Sequence, residues 1–233
     1  MISTTHLSTA FVDVADTLVD EFDVIDFLHN LTDHAAAVSG AGAVGILLAD
    51  HQGVLKFMAA SNEAARLLEL FQLQESEGPC LDCYRTGSPV VNADLSGALG
   101  RWPVFAPAAL AAGFQSVHAF PMRLRERTIG TLNLFGRDHM HFAPDEVRVV
   151  QALADVATIA ILQERSIAIA ETLTEQLQSA LNSRIVIEQA KGAVAERLGV
   201  SVDEAFVVMR SQARSSGIRL VDVAAALLGD SNA

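Results

Sequence analysis

Cys80 and Cys83 stand behind a Gly-Pro turn in the stretch Gly78-Pro79-Cys80-Leu81-Asp82-Cys83. Two thiols at this spacing can close a reversible disulfide or supply half of a metal site. A turn leading into a helix start would lower the Cys80 thiol pKa through the positive helix end. A single CxxC outside a thioredoxin-like pattern also describes two small buried thiols, the plainer reading, and no second pair accompanies it. His118, with Ser116 and Phe120 on the same strand face, has the chemistry to line a pocket or ligate haem; a hydrogen-bonded strand histidine is the commoner case. His139 and His141 flank Met140 in a loop and read as solvated. Trp102, near Phe105, offers a ring that stacks on a planar ligand or fills a core or rim. Toward the C-terminus the chemistry is cationic. Arg184 and Lys191 are seven apart, Arg210 and Arg214 four apart, so each pair shares a helix face. Lys191 precedes Gly192, where a phosphate backbone can come close. The plainer reading is a solvated face whose bases pair along the helix with acids such as Glu188 or Glu196. GxSxG, Walker, HExxH and zinc-deaminase signatures are missing, so an enzyme is not expected.

The elements that must position these residues follow from periodicity. A helical spacing of apolar residues runs from about Thr5 to Ser39, through Phe11, Val14, Ala15 and Leu18, breaks near Asp23, and resumes through Val24, Phe27, Leu28, Leu31 and Ala35. Ser39-Gly40-Ala41-Gly42 stops it. Val44 to Ala49, the turn Asp50-His51-Gln52-Gly53 and Val54 to Ala60 predict a hairpin. Glu63 to Phe71 predicts a helix with Ala64, Leu67, Leu68 and Phe71 on its buried side. A short helix ends at Gly87, a strand covers Pro89 to Asn92, and an alanine-rich helix covers Ala106 to Ala112. Residues 116–124, the polar turn Arg125-Glu126-Arg127 and residues 128–136 make a second hairpin. Helices flanking an antiparallel sheet define an α+β domain.

Beyond Pro144 no glycine or proline occurs before Gly192, which predicts one long helix opened by Asp145 and Glu146. An imperfect heptad runs through Leu153, Val156, Ala160, Gln163, Ile167, Ala170, Thr174, Leu177 and Leu181 and favours a dimeric helical connector. The alternative is a helix that packs on its own domain to about Leu162 and then breaks. Gly199 stops the long helix. Ser201 and Glu204 form a capping box for a second helix, whose face is Ala205, Val208, Met209 and Ala213. After Ser215-Ser216-Gly217 comes a third helix, buried through Leu220, Val223, Ala224 and Leu227.

Composition limits what this assembly does. With 51% hydrophobic and 19% charged residues the chain can bury a core. Its apolar runs are too short to span a bilayer, the N-terminus lacks a basic leader, and two cysteines suit a reducing cytoplasm. Net charge is −12, but from Glu171 onward eight acids face six bases. The C-terminal part is therefore −2 and residues 1–170 hold −10, so nucleic-acid contact must come from a local basic face.

The C-terminal pattern resembles the ANTAR family of RNA-binding antiterminator modules. Carrying it are Ala180-Leu181, Arg184, Ile187-Glu188-Gln189-Ala190-Lys191-Gly192, Ser201, Glu204-Ala205-Phe206, Met209-Arg210, Ala213, Leu220 and Val223-Ala224. Small Ala193, Val194 and Ala195 replace the larger apolar residues many members carry there. The resemblance implies binding of paired hexaloop hairpins in nascent leader RNA, with Arg184, Gln189, Lys191, Gly192, Arg210 and Arg214 as the RNA-binding residues. The front half resembles a GAF domain, a small-molecule sensor fold, through residues 43–61, Glu77 to Leu95, Arg101 to Leu124, Ile129 to Gly136 and the helix-opening residues 142–161. This implies a pocket beside the sheet for an unknown small-molecule or redox signal, with Cys80, Cys83, Trp102 and His118 as its candidates. The expected plan is a GAF sensor domain with an N-terminal helix over 1–165, a connecting coiled-coil helix over 145–182 and a three-helix ANTAR bundle over 172–233. A homodimer is expected, RNA polymerase is a further candidate partner, and no membrane, metal or catalytic residue is expected. The cofactor is unknown. The competing reading is a thiol redox sensor or enzyme using Cys80 and Cys83, with the C-terminal helices as an assembly or protein-interaction module.

Overall fold

A computed structural model of the chain describes residues 2, 4–16, 23–125 and 127–229. Leu18, expected in the first helix, and Glu126, expected in the second hairpin turn, lie outside the described residues. The chain forms two compact units, 1–165 and 166–233.

The first unit is built on five antiparallel strands, β1 (Ala43–Ala49), β2 (Leu55–Ala60), β3 (Val90–Asp94), β4 (Ser116–Leu124) and β5 (Arg127–Gly136), in the order β2-β1-β5-β4-β3. Every residue of β1 is buried, because helices cover both faces of the sheet. Strand alternation then sorts the side chains. Val44, Ile46 and Leu48 meet Leu28, Leu31 and Ala35 of α2 (Val24–Ser39) and Val150, Leu153, Ala157 and Ile161 of α6 (Pro144–Leu198). On the opposite face Ala43, Val117, Ala119 and Phe135 meet Ala65 and Leu68 of α3 (Glu63–Glu75), Cys83 of α4 (Pro79–Thr86) and Phe105 and Ala109 of α5 (Phe105–Ala111). Helix α1 (Thr4–Asp16) adds Ala10 and Val14 to the first core. Asp23 caps α2 by accepting from the Ile25 and Asp26 N–H groups, and Gly40, at φ 73°, ends it in the left-handed conformation.

Helix α3 departs from its expected face. It buries Ala65, Leu68, Glu69 and Gln72, and leaves Leu67 58% exposed. The apolar stripe is overridden because two polar side chains find partners under the helix that outweigh the burial of one leucine.

Helix α6 is continuous from Pro144 to Leu198. It packs on its own sheet through Ile161 and does not break there, so the break near Leu162 that one of the two sequence alternatives expects is absent. Its end joins α7 (Val202–Ser216) and α8 (Leu220–Gly229) around Ala190, Val194, Ala205, Met209 and Ala224. The capping box forms as expected: Ser201 Oγ accepts from the Glu204 N–H and the Glu204 carboxylate accepts from the Ser201 N–H. Val208, expected on the buried face of α7, is 45% exposed, since Ala205, Met209 and Ala213 already fill the contact.

Candidate functional site

The sensor unit holds a cluster of buried polar residues that the sequence pattern leaves unassigned. Glu69 lies fully buried beneath α3, where Asn133 Nδ2 donates to one carboxyl oxygen at 2.7 Å and Gln72 Nε2 to the other at 3.1 Å. Gln72 Oε1 accepts from the Cys80 N–H at 3.1 Å, and Asn133 Nδ2 also reaches Thr131 Oγ1 at 3.2 Å. One hydrogen-bonded cluster therefore joins α3, the start of α4 and the centre of β5. Two glycines make room for it. A Cβ on Gly45 would stand 2.3 Å from Glu69 Oε1, and one on Gly78 would stand 2.3 Å from Gln72 Oε1. No cation pairs with Glu69 among the described residues, and burial pushes its pKa up to about 8 against the hydrogen bond from Asn133. Asn133 Oδ1 is buried with no partner among the described residues.

Cys80, Cys83 and Trp102 share this side of the sheet with Glu69. Cys80 packs against Leu47, Ala49 and Leu55, while Cys83 and Trp102 belong to the core under α5. The expectation that the helix start lowers the Cys80 pKa is overturned: burial pushes the thiol well above its ordinary range, with the neighbouring Glu69 and Cys83 adding to the rise. Cys83 is likewise pushed up by burial, to about 12. Desolvation of a fully covered thiolate exceeds what a short helix end returns. Trp102 is 1% exposed; its Nε1 donates to Asp82 Oδ2 at 3.1 Å, its ring meets Phe105 edge-on at 6.2 Å, and the Arg101 guanidinium lies 4.6 Å over it. It is a core aromatic, with a face already covered.

His118 is not part of this group. It points to the opposite face, where its ring packs at a tilt against Phe142, 4.5 Å between centroids, and Nδ1 accepts from the Asn92 N–H at 3.0 Å. Burial, with a smaller effect of His141, lowers its pKa to about 4. Asn92, at φ 55°, closes the same corner by exchanging two hydrogen bonds with the Phe142 backbone. His139 is a loop side chain, 68% exposed and 3.9 Å from Asp94. Among the described residues no group of three metal-ligating side chains converges.

Sequence reasoning missed Glu69, Gln72, Thr131 and Asn133. Glu69 and Gln72 are one helical turn apart, and Thr131 and Asn133 alternate with leucines, but both patterns equally describe solvent faces.

In the second unit the bases separate into two kinds. Arg184, Arg210 and Arg214 are exposed, and none forms an ion pair among the described residues. Gln189 is exposed as well. Lys191 and Arg219 are paired, with Glu188 at 2.9 Å and with Asp222 at 2.9 Å. Gly192 lies within α6, exposed, and a Cβ there would meet nothing within 4 Å. A glycine in a helix interior is destabilising, and among the described residues no neighbouring atom requires it here.

Comparison with known proteins agrees with the division of the chain into two units. The profile of the GAF domain matches residues 23–162 and that of the ANTAR domain residues 175–228. No curated protein matches the chain. Among solved structures, a domain of a putative two-component sensor histidine kinase from Sinorhizobium meliloti superposes with a TM-score of 0.54 at 16% identity, covering 65% of this chain and 99% of that one. The free methionine-R-sulfoxide reductase from Neisseria meningitidis does so with 0.54 at 18%, covering 72% and 96%. The GAF domain of the Acinetobacter phosphoenolpyruvate-protein phosphotransferase gives 0.54 at 16%, covering 71% and 98%. At these identities the structures speak for the fold alone. With the α+β sensor unit, the long helix and the capped C-terminal helices matching both profiles in order, the chain belongs to the proteins that join a GAF domain to an ANTAR domain.

Proposed function

We propose that the chain is a signal-responsive antitermination regulator that binds double-hexaloop hairpins in nascent leader RNA. In this reading Arg184, Gln189, Gly192, Arg210 and Arg214 form the RNA face of a domain over 172–233. A sensor domain over 1–165 gates it through the connecting helix, 145–182. The observation that carries the reading is three exposed arginines with no ion pair among the described residues. Eight acids are available to six bases in this part of the chain, and on a merely solvated surface helical neighbours pair, as Lys191 and Arg219 do. Exposed guanidiniums without carboxylates are free to meet phosphates and to stack on unstacked loop bases. Gly192 adds a point where a nucleic-acid backbone can approach the helix.

Dimerisation supports the same function. Past the sensor core α6 exposes Ile167, Leu173, Leu177 and Leu181 at 41%, 54%, 57% and 56%. A second copy seated on this stripe would link two ANTAR bundles, and two linked sites on one RNA gain affinity through effective concentration. The signal is a small molecule acting on the sensor unit, RNA polymerase is a further partner in elongation, and the chain has no catalytic role. No described helix is long and apolar enough to cross a membrane. Buried thiols with raised pKa count against a redox centre at Cys80 and Cys83.

The test is binding of the full-length protein to a double-hexaloop RNA and to a loop-scrambled control at two salt concentrations. Loop-dependent binding that is lost in Arg210→Gln is expected. Equal affinity for the two RNAs would refute the hairpin reading.

A further inference from the structure

Lys191 is the base that the Lys-Gly step would first offer to a phosphate, yet its ammonium is engaged within the protein. Nζ donates to both oxygens of Glu188, at 2.9 and 3.1 Å, and stands 5.3 Å from the centre of the Phe206 ring. The lysine side chain is only 15% exposed, the glutamate 55%. An ammonium has three N–H donors, and a carboxylate together with an aromatic face holds most of its capacity. To meet a phosphate it would have to leave both.

The two partners lie on different helices. Glu188 precedes Lys191 by one turn of α6, whereas Phe206 belongs to α7 and follows Ala205, a residue of the small core shared with Ala190 and Val194. The aliphatic stem of Lys191 therefore runs along the edge of that core, where α6 and α7 meet, and its charged end is fixed from both sides. Arg184 projects from α6; Arg210 and Arg214 project from α7. Whatever sets α7 against α6 also sets the spacing of these arginines.

We propose that Lys191 is a positioning residue, clasped between Glu188 and Phe206, that fixes α7 with Arg210 and Arg214 against α6 with Arg184, and that it makes no phosphate contact of its own. The functional half of this proposal rests on the RNA-binding reading above; the clasp itself is a property of the protein.

The experiment compares full-length wild type with Lys191→Met, Phe206→Leu, the double variant and Arg210→Gln, against a double-hexaloop RNA over a range of salt. Methionine keeps the stem and removes the charge; leucine changes no charge at all. A lost phosphate contact lowers the slope of log affinity against log salt by about 0.7–0.9, and Arg210→Gln calibrates that loss. For the clasp, Lys191→Met and Phe206→Leu each weaken binding about three- to tenfold with the slope unchanged, and the double variant falls no further than either single one. A slope lowered in Lys191→Met as in Arg210→Gln, or effects that add in the double variant, would overturn it. If the wild type does not prefer the hexaloop RNA, the RNA reading fails, and thermal unfolding decides the clasp alone: non-additive losses of stability support it and additive ones overturn it.

Discussion

Replacing Gly192 by alanine tests the RNA face in a way that stability alone cannot imitate. The residue lies inside α6, its added methyl meets nothing within 4 Å, and its backbone is not in the left-handed region. Alanine is favoured over glycine in a helix interior by about 0.8–1 kcal/mol. In a domain of this size such a gain raises the melting temperature by about 4–8 °C. If the open glycine is where an RNA backbone approaches, the same methyl holds a phosphate away. The loss of one charge-assisted hydrogen bond, about 1.5 kcal/mol, then weakens binding roughly tenfold. Calorimetry of the free protein and fluorescence anisotropy with a labelled double-hexaloop RNA measure the two quantities on one preparation. Gly199→Ala is the control: at φ +63° that glycine ends the helix in a conformation alanine resists, so its stability falls. Higher stability with unchanged RNA affinity would remove Gly192 from the interface. No gain in stability would mean that the glycine serves the helix itself and that the reasoning from open space is wrong.

Arg219→Gln, which breaks a pair with Asp222, is expected to leave the salt slope of RNA binding unchanged where Arg210→Gln lowers it; equal slopes in the two variants would contradict the division of the bases. Glu69 holds its proton to about pH 8 in the fold and releases it near 4.5 when unfolded, so its contribution is complete in acid and is lost as pH rises through this window. Glu69→Gln removes the titrating group but keeps only one of the two amide contacts, since its NH2 cannot accept from the second, so its stability should gain on that of the wild type as pH rises from 4 to 8, read from urea midpoints. His118 works the other way, remaining neutral down to about pH 4 in the fold, so Glu69→Gln should weaken as pH falls below about 6.5, while in the wild type the gain from Glu69 offsets that loss down to about pH 4.5. Iodoacetamide should leave Cys80 and Cys83 unmodified in the native protein and label both in urea; rapid native labelling would restore a thiol sensor. Leu177→Glu with Leu181→Glu should convert a dimer to monomer in sedimentation, and an unaltered mass would place the dimer contact elsewhere.

Signals local in sequence transferred directly into structure. The Ser201–Glu204 capping box, the glycine stops at Gly40, Gly87, Gly199 and Gly217 and the apolar run of β1 need only neighbouring residues to act. Positions decided by distant partners did not. The turn of α3 that buries Glu69 depends on Asn133 across the sheet and on the absence of a side chain at Gly45. The sign of the Cys80 shift depends on how completely β1 and β2 cover the thiol. Which core His118 faces is a matter of strand parity, fixed only when β4 pairs with β5. Among the basic residues, sequence offered both the solvated pair and the phosphate contact; in the free protein Lys191 is paired with Glu188, whereas Arg210 and Arg214 have no ion pair among the described residues.

Trp102 is the single tryptophan of the chain, Tyr84 is the single tyrosine, and both belong to the sensor unit; Phe206 is the one aromatic ring beyond residue 165. Indole emission is therefore a private channel for the sensor, buried and blue-shifted while the hydrogen bond to Asp82 holds, whereas helical ellipticity is a channel shared by both units. Excited at the red edge of indole absorption, where nucleic acid is dark, the same sample reports the state of α4 while RNA occupies the other unit. The protein thus carries its own optical label for following a sensor event and an RNA event separately in one cuvette.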